Sequence, residues 1–171
     1  MKILGLDVGL CKTGWGLIKA GKQISCIDHG LIRPNTKLSL EERLAFLWSN
    51  TMNIIQIHDP ENIAIEQTFV GLNAASGIRL GAAYGAIIAA AGLAKIPVTS
   101  YPTKIIKQKI ADKGNATKEE IMDAVCKILK ITIEQEDIAD ALATALCHQR
   151  INSINQSARI SKQTKSSKSS E

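Results

Sequence analysis

Two acidic residues stand at the ends of apolar segments, where a solvated acid would not be expected. Asp7 follows the apolar run in 2–8 (KILGLDV), and Glu66 closes the shorter run 62–66 (NIAIE). Both runs have the length and apolar character of buried strands. If the two strands are neighbours in a sheet, their carboxylates meet at one edge of it.

Two further acids lie three residues apart in another apolar segment. Asp137 and Asp140 share one helical face, and the residues around them in 137–143 (DIADALA) are apolar. We therefore expect a largely buried helix that carries both carboxylates. Taken singly, each acid also has an ordinary explanation, because a strand-terminal Asp often caps a turn and an acid near a helix start favours the helix dipole.

Four carboxylates without a neighbouring His or Cys need a cation, because like charges repel and burial raises the cost. Oxygen ligands at this density suit Mg²⁺, and Mn²⁺ can take the same ligands. Two such ions about 3.5–4 Å apart activate a water and stabilise the leaving oxygen in phosphodiester hydrolysis. The acids together thus indicate metal-dependent phosphodiester cleavage.

The elements that must position these acids follow from the hydrophobic pattern. Ser39 with Glu42, and Thr117 with Glu120, form capping boxes that mark two helix starts. The predicted order is βββ-α-β-α-β-α-α, an α/β protein with a mixed sheet and helices on its faces. Strands are expected at 2–8, 15–20, 23–33, 62–66 and 96–101, and helices at 39–60, 73–94, 117–130 and 136–150. The Ala-rich helix 73–94 is expected to be buried.

Composition narrows the class of protein. A chain of 171 residues with 45% hydrophobic residues fits one domain with a real core. We expect this domain at 1–151, followed by a basic, Ser- and Lys-rich disordered tail at 152–171. No secretory signal pattern is present, and the uncharged apolar stretch 80–94 is too short for a membrane span. The four cysteines lack C-x-x-C spacing, which favours reduced thiols and a cytoplasmic location.

Charge is distributed unevenly along the chain. The net charge of +5 is weak evidence by itself, but residues 104–118 carry a local charge of +4 and residues 131–150 a local charge of −3. A basic surface beside an acidic metal site suits an enzyme that cleaves DNA, since lysines bind phosphates and carboxylates bind metal. Lys104, Lys109 and Lys113 are equally explained as a solvated face.

Four motifs resemble those of the RuvC family, the bacterial Holliday-junction resolvases of the ribonuclease H-like superfamily. They are 4–9 (LGLDVG), 13–16 (TGWG), 64–69 (AIEQTF) and 137–143 (DIADALA). Their order and spacing are more specific than any one motif, and the resemblance extends from about residue 2 to about residue 150. It implies a mixed five-stranded sheet, antiparallel in β1-β2-β3 and otherwise parallel, flanked by helices. It also implies a structure-specific endodeoxyribonuclease that resolves four-way DNA junctions symmetrically in recombination and repair.

The resemblance further implies site residues, a cofactor and partners. The catalytic and metal-binding acids fall on Asp7, Glu66, Asp137 and Asp140, the catalytic and DNA-binding lysines on Lys107 and Lys118, and the aromatic at the junction centre on Phe69. The cofactor would be Mg²⁺, two ions per active site. The partners would be four-way junction DNA, a second copy of the chain in a homodimer, and the RuvA-RuvB branch-migration complex, with no membrane.

Some positions depart from the family pattern or have two explanations. Val8 stands where many members have Pro, and Asp137 stands where some have His, which keeps the ligand set all-oxygen. Phe69 follows the Glu66 strand on an expected loop, where it could stack on an unpaired base or anchor the loop to the core. Trp15 and Trp48 lie in strand and helix patterns and are expected in the core.

Three other functions share parts of this pattern. An Asp-Val-Gly segment followed by glycines also opens the phosphate loop of actin-like and sugar-kinase ATPases, but those enzymes close two lobes around ATP and this chain has the length of one. A ribonuclease H-like enzyme acting on RNA would carry the same acids. A junction-binding scaffold without chemistry would be favoured by loss of an acid, and all four family positions are filled.

Overall fold

A computed structural model describes residues 1–67 and 74–167 of the chain. The strands are β1 Lys2–Asp7, β2 Thr13–Lys19, β3 Ser25–Ile32, β4 Asn62–Gln67 and β5 Val98–Pro102. The helices are α1 Leu40–His58, α2 Ala74–Leu93, α3 Thr103–Ala111, α4 Lys118–Leu129 and α5 Glu136–Ser167. Both predicted capping boxes are present, at the starts of α1 and α4.

The described strands form one sheet in the order β3-β2-β1-β4-β5. The first three strands pair antiparallel, whereas β4 runs parallel to both β1 and β5. The predicted mixed five-stranded sheet is therefore confirmed. In this topology the carboxyl ends of β1, β4 and β5 share one edge with the start of β2, because Asp7 pairs with Gly14.

Helices cover both faces of the sheet and enclose two hydrophobic clusters. Helices α3, α4 and α5 bury one face, where Ile3 and Ala64 enter the cluster. Helices α1 and α2 bury the other face against side chains such as Leu4 and Ile63. Side chains alternate between the two faces of a strand, so neighbours along β1 and β4 belong to different clusters.

Helix α3 is absent from the sequence prediction. It begins directly after Pro102 without a capping side chain and has only nine residues, so neither a capping box nor length marks it. Its apolar face is nevertheless at helical spacing, since Ile106 and Ile110 are both buried. This helix carries Lys107.

Helix α2 is not the buried helix that its composition suggested. Its inner face includes Ala83 and Ile87 in the core, but Ile78 is 73% exposed and Leu93 is 65% exposed. The prediction was wrong because α2 packs on α1 from one side, and no element of the described chain covers its outer side. The core assignment of Trp48 was wrong for the same reason, since this side chain lies on the outer face of α1 and is exposed.

Helix α5 extends to Ser167, well past the predicted end at Arg150. The backbone of 152–167 is helical, which differs from the predicted disorder. The segment 151–167 contains no Gly or Pro, so no residue in it interrupts the helix that α5 begins. A domain boundary at residue 151 stays a prediction.

One helix of the described residues, α2, is long and apolar enough to cross a membrane by length and composition. A core helix of a soluble protein passes the same test. Here Ala83, Ile87 and Ala91 of α2 belong to the hydrophobic cluster under α1.

Candidate active site

Asp7 and Glu66 end the neighbouring parallel strands β1 and β4 on the same face of the sheet. Leu6 is paired with Ile65, so the two acids that follow lie side by side. Leu6 and Ile65 enter the cluster under α1 and α2. Because side chains alternate along a strand, both carboxylates face the opposite side, which α5 covers.

Helix α5 brings the other two acids to this edge at very short range. A Cβ on Gly5 would lie 2.0 Å from the carbonyl oxygen of Ala141, and one on Gly14 would lie 2.0 Å from the carbonyl oxygen of Asp137. Larger residues at these strand positions would therefore push the helix away. Asp137 and Asp140, near the start of α5, consequently lie over the ends of β1 and β2.

The four carboxylates influence one another electrostatically. Burial, followed by the charges of Glu66, Asp140 and Asp137 in that order of effect, raises the pKa of Asp7 to about 7, against the opposing charge of Lys118. Burial, the charge of Glu66 and the charge of Asp137 likewise raise the pKa of Asp140 to about 6, against the charge of Lys118. Carboxylates whose pKa values are raised by burial and by neighbouring like charges mark this sheet edge as a candidate functional site.

Two lysines neutralise part of this charge. The Lys12 ammonium forms an ion pair with the Asp137 carboxylate. The Lys118 ammonium lies 2.8 Å from an oxygen of Glu136 and 3.9 Å from an oxygen of Asp140. The hydrogen bond to Glu136 is the largest cause of a raised pKa at Lys118, so this lysine is positively charged at neutral pH.

A cavity of about 120 Å³ joins two of the four acids to both predicted lysines. It is lined by Glu66, Thr103, Ile106, Lys107, Lys118, Ile121 and Asp140. At its wall the Thr103 hydroxyl donates a hydrogen bond of 2.5 Å to Glu66 Oε1. Acidic and basic side chains thus face one small volume, an arrangement suited to a phosphate group with its bound cation.

The donor set fits a divalent cation in charge and in chemistry. All four acids are oxygen donors, and a cation between them would compensate the burial and the mutual repulsion that together raise the pKa values of Asp7 and Asp140. Within residues 1–67 and 74–167, no three Asp, Glu, His or Cys side chains lie close enough together to hold a metal ion in their present conformations. Two of the acids are engaged elsewhere, Asp137 with Lys12 and Glu66 with Thr103.

The structure thus brings together six of the seven predicted site residues, and Phe69, the seventh, lies outside the described residues. Sequence reasoning missed Lys12, Thr103 and Glu136. Thr103 could have been found from the sequence. It comes just after β5, and residues that follow parallel strands meet at the same edge of the sheet as Asp7 and Glu66. Lys12 and Glu136 could not have been found from their spacing in the sequence, because their contacts depend on how α5 and α4 pack against the sheet.

Comparison with known proteins decides the family. The family described as crossover junction endodeoxyribonuclease RuvC matches residues 3–148. The chain belongs to the RuvC family. It is 38% identical over 149 residues to the RuvC crossover junction endodeoxyribonuclease of Maricaulis maris, covering 86% of this chain and 90% of that one. It is 42% identical over 151 residues to the RuvC of Hydrogenovibrio crunogenus, covering 87% of each.

Structural comparison agrees with the sequence match. The fold is similar to that of Thermus thermophilus RuvC in complex with a Holliday junction substrate, with a TM-score of 0.82, 28% identity, and coverage of 86% of this chain and 92% of that one. The predicted family and the mixed α/β fold of RuvC are both confirmed. The match over nearly the whole folded chain also removes the case for an actin-like or sugar-kinase ATPase.

Proposed function

We propose that this chain is a crossover junction endodeoxyribonuclease, which resolves four-way DNA junctions by metal-dependent phosphodiester hydrolysis in recombination and repair. Membership of the RuvC family supports this function. The observation that carries the chemistry is the meeting of Asp7, Glu66, Asp137 and Asp140 at one sheet edge, where their charges act on one another. A scaffold without chemistry would have no reason to keep this unfavourable cluster.

The four acids would hold the metal. We assign Asp7, Glu66, Asp137 and Asp140 as the ligands, with Mg²⁺ as the metal, two ions per active site, and Mn²⁺ as a substitute. Bound cations of this class supply activation of water and stabilisation of the leaving oxygen. The carboxylates orient that chemistry at the sheet edge, and the partly buried position of Asp7 and Asp140 limits access of bulk water.

Lys107 and Lys118 would act on the DNA itself. Both side chains line the cavity that also contains Glu66 and Asp140. A phosphate in this cavity would meet the ammonium groups beside the carboxylates that would hold the metal. The lysines would then hold the phosphate backbone and stabilise negative charge as it develops at the cut phosphate.

Phe69 would act at the centre of the junction. In the sequence it comes two residues after Gln67, the last residue of β4, which is the strand that carries Glu66. Stacking on an unpaired base is worth about 1–3 kcal/mol and does not depend on salt. Phe69→Ala should therefore reduce cleavage while the salt dependence of binding stays the same. A variant that melts several degrees lower but cuts normally once folded would show that Phe69 is a core anchor.

The active assembly would be a homodimer, because two symmetric cuts require two sites related by a two-fold axis. The outer face of α2 fits such an interface. Gly81, Gly85 and Gly92 face open space within the described chain, and Ile78 and Ile88 beside them are exposed. Each surface glycine weakens a helix by about 1 kcal/mol relative to alanine, a cost that close approach of a partner helix would offset.

Two further assignments rest on the family and on the cysteines. The RuvA-RuvB branch-migration complex would be the partner that delivers junctions. The cytoplasm would be the location, since the four cysteines are free thiols, as expected in a reducing compartment.

A substrate panel tests the proposed function. Purified protein is incubated with a synthetic four-way junction, a linear duplex of the same sequence and an RNA–DNA hybrid, each with Mg²⁺ or with EDTA. We expect cleavage of the junction with Mg²⁺ only, and little cleavage of the duplex. Preferential cleavage of the hybrid would instead support a ribonuclease, and junction binding without cleavage under any divalent cation would support a scaffold.

A further inference from the structure

Lys12 places an ammonium group on one of the proposed metal ligands. It lies in the connection between β1 and β2, five residues after Asp7, and forms an ion pair with the Asp137 carboxylate. The Lys12 side chain is 40% exposed and that of Asp137 is 21% exposed, so the pair sits at the rim of the acid cluster. No role for Lys12 follows from the sequence motifs.

The backbone that carries Lys12 is held firmly in place. The Gly9 amide donates to the hydroxyl of the buried Thr13 at 3.2 Å, and this hydroxyl donates to the Gly9 carbonyl oxygen at 2.7 Å. From α1, Arg43 Nη2 donates to the Leu10 carbonyl oxygen at 3.0 Å. These bonds close the connection into a compact turn, so the Lys12 side chain starts from a fixed point near Asp137.

Asp137 is fixed from the other side. Its backbone packs directly on Gly14, where even a Cβ atom would clash, so the carboxylate can reorient only by rotation of its own side chain. An oxygen that accepts the Lys12 ammonium cannot offer the same lone pairs to a second cation. The Lys12 contact is to Oδ2 of Asp137, so a metal ion that binds this oxygen must displace Lys12, and one that binds the other oxygen must share the charge of the carboxylate with it.

We propose that Lys12 is a built-in counter-ion for Asp137, which competes with the divalent cation for this carboxylate and is released when the cation binds. The inference rests on the proposed metal-dependent function. Lys12 is a positioning residue, because it acts through Asp137 and stabilises the crowded carboxylates until a stronger cation replaces it. A Lys12 that lay near Asp137 without competing for its carboxylate would instead leave metal affinity unchanged.

The test measures Mn²⁺ binding to the full chain without DNA, by calorimetric titration after EDTA treatment. Lys12→Met removes the charge and retains the length of the side chain. Because partly exposed ion pairs contribute about 0.2–1 kcal/mol, Mn²⁺ should bind roughly 1.4- to fivefold more tightly to this variant. Lys12→Arg, which retains the competing charge, should bind Mn²⁺ like the wild type. The Mg²⁺ concentration for half-maximal junction cleavage should fall in Lys12→Met by the same factor.

Two controls separate the contact from a general effect of charge. Lys19→Met removes one positive charge at the far end of β2, since Lys19 pairs with Lys2 and not with the acid edge. It should leave Mn²⁺ affinity unchanged. In an Asp137→Asn background, Lys12→Met should no longer tighten Mn²⁺ binding, because the carboxylate for which both cations compete is gone.

The measured Mn²⁺ affinities distinguish failure of the Lys12 proposal from failure of the metal site. Equal Mn²⁺ affinity in Lys12→Met and wild type, or equal tightening in Lys12→Met and Lys19→Met, would overturn the role of Lys12 and leave the proposed function intact. A wild-type protein that neither binds Mn²⁺ nor cuts junctions would overturn the metal site itself and the inference with it. Circular dichroism melts confirm folding, and Lys12→Gln replaces Lys12→Met if the latter does not fold.

Discussion

Among single residues, Asp7 has the least favourable environment of the four acids for a negative charge, because it is buried and lies close to the other three. Its carboxyl group is crowded by three other acids, and burial with these charges raises its pKa from 3.8 to about 7. A protein tolerates such a group where function requires it and where a cation can compensate it. The free energy of unfolding should therefore depend on whether the Asp7 carboxyl group is ionised.

Asp7 should make the metal-free protein less stable as pH rises. Because its folded pKa is the higher one, the folded state holds more protons than the unfolded chain between about pH 4 and 7, and stability falls as pH rises through this window. In EDTA, Asp7→Asn should raise the free energy of unfolding at pH 8 by on the order of 1–3 kcal/mol, and the gain should shrink at pH 5. Urea denaturation at both pH values measures it, and a loss of stability at both would make Asp7 a structural residue.

Lys107 and Lys118 should differ from other lysines of the basic region. Lys107→Ala and Lys118→Ala should each lower junction affinity and flatten the slope of log K against log salt by about one unit. Cleavage should fall further than binding if these ammonium groups stabilise the cut phosphate. Lys104→Ala is the matched control, because Lys104 lies exposed on the same helix α3 and outside the cavity. Equal salt slopes in all three variants would contradict a specific role.

Among the helices and strands, those with a clear local hydrophobic pattern could be predicted from the sequence, and those without one could not. Strands β1 and β4 were recognised because apolar runs end abruptly in Asp7 and Glu66, and such a run is itself the signal of a buried strand. Helix α3 was missed because a nine-residue helix without a capping side chain gives little local signal. The Lys12–Asp137 ion pair was beyond prediction, because it depends on the tertiary approach of α5 to β2.

That approach gives a prediction for Gly14. A Cβ there would lie 2.0 Å from the Asp137 carbonyl oxygen, so Gly14→Ala should displace the start of α5 and lower the free energy of unfolding by about 1–3 kcal/mol. Cleavage by the folded fraction should fall as well, because Asp137 moves with the helix. Gly21→Ala is the control, since its Cβ would meet only an ordinary contact at 3.8 Å. Unchanged stability and activity in Gly14→Ala would refute the close packing.

At the level of the whole molecule, the outer face of α2, which no described element covers, is the surface proposed for the dimer. Gly85 faces open space within the described chain, so in an isolated protomer Gly85→Gln should stabilise the helix slightly. In a dimer packed through α2, the added side chain should weaken association by roughly tenfold, about 1.4 kcal/mol. Sedimentation equilibrium measures this change. Lys127→Gln, on α4 across the sheet, is the control, and a tight dimer in Gly85→Gln would place the interface elsewhere.

We propose that the acid cluster performs the cleavage of four-way junctions. The most direct test of this proposal compares wild type and Asp7→Asn on a junction labelled on opposing strands, with Mg²⁺ and with enough protein to bind every junction. The wild type should make paired symmetric cuts. Asp7→Asn should make none above background while binding the junction as tightly or more tightly, because it loses a metal ligand and a negative charge that faces phosphates. Symmetric cleavage by Asp7→Asn at the wild-type rate would contradict the claim.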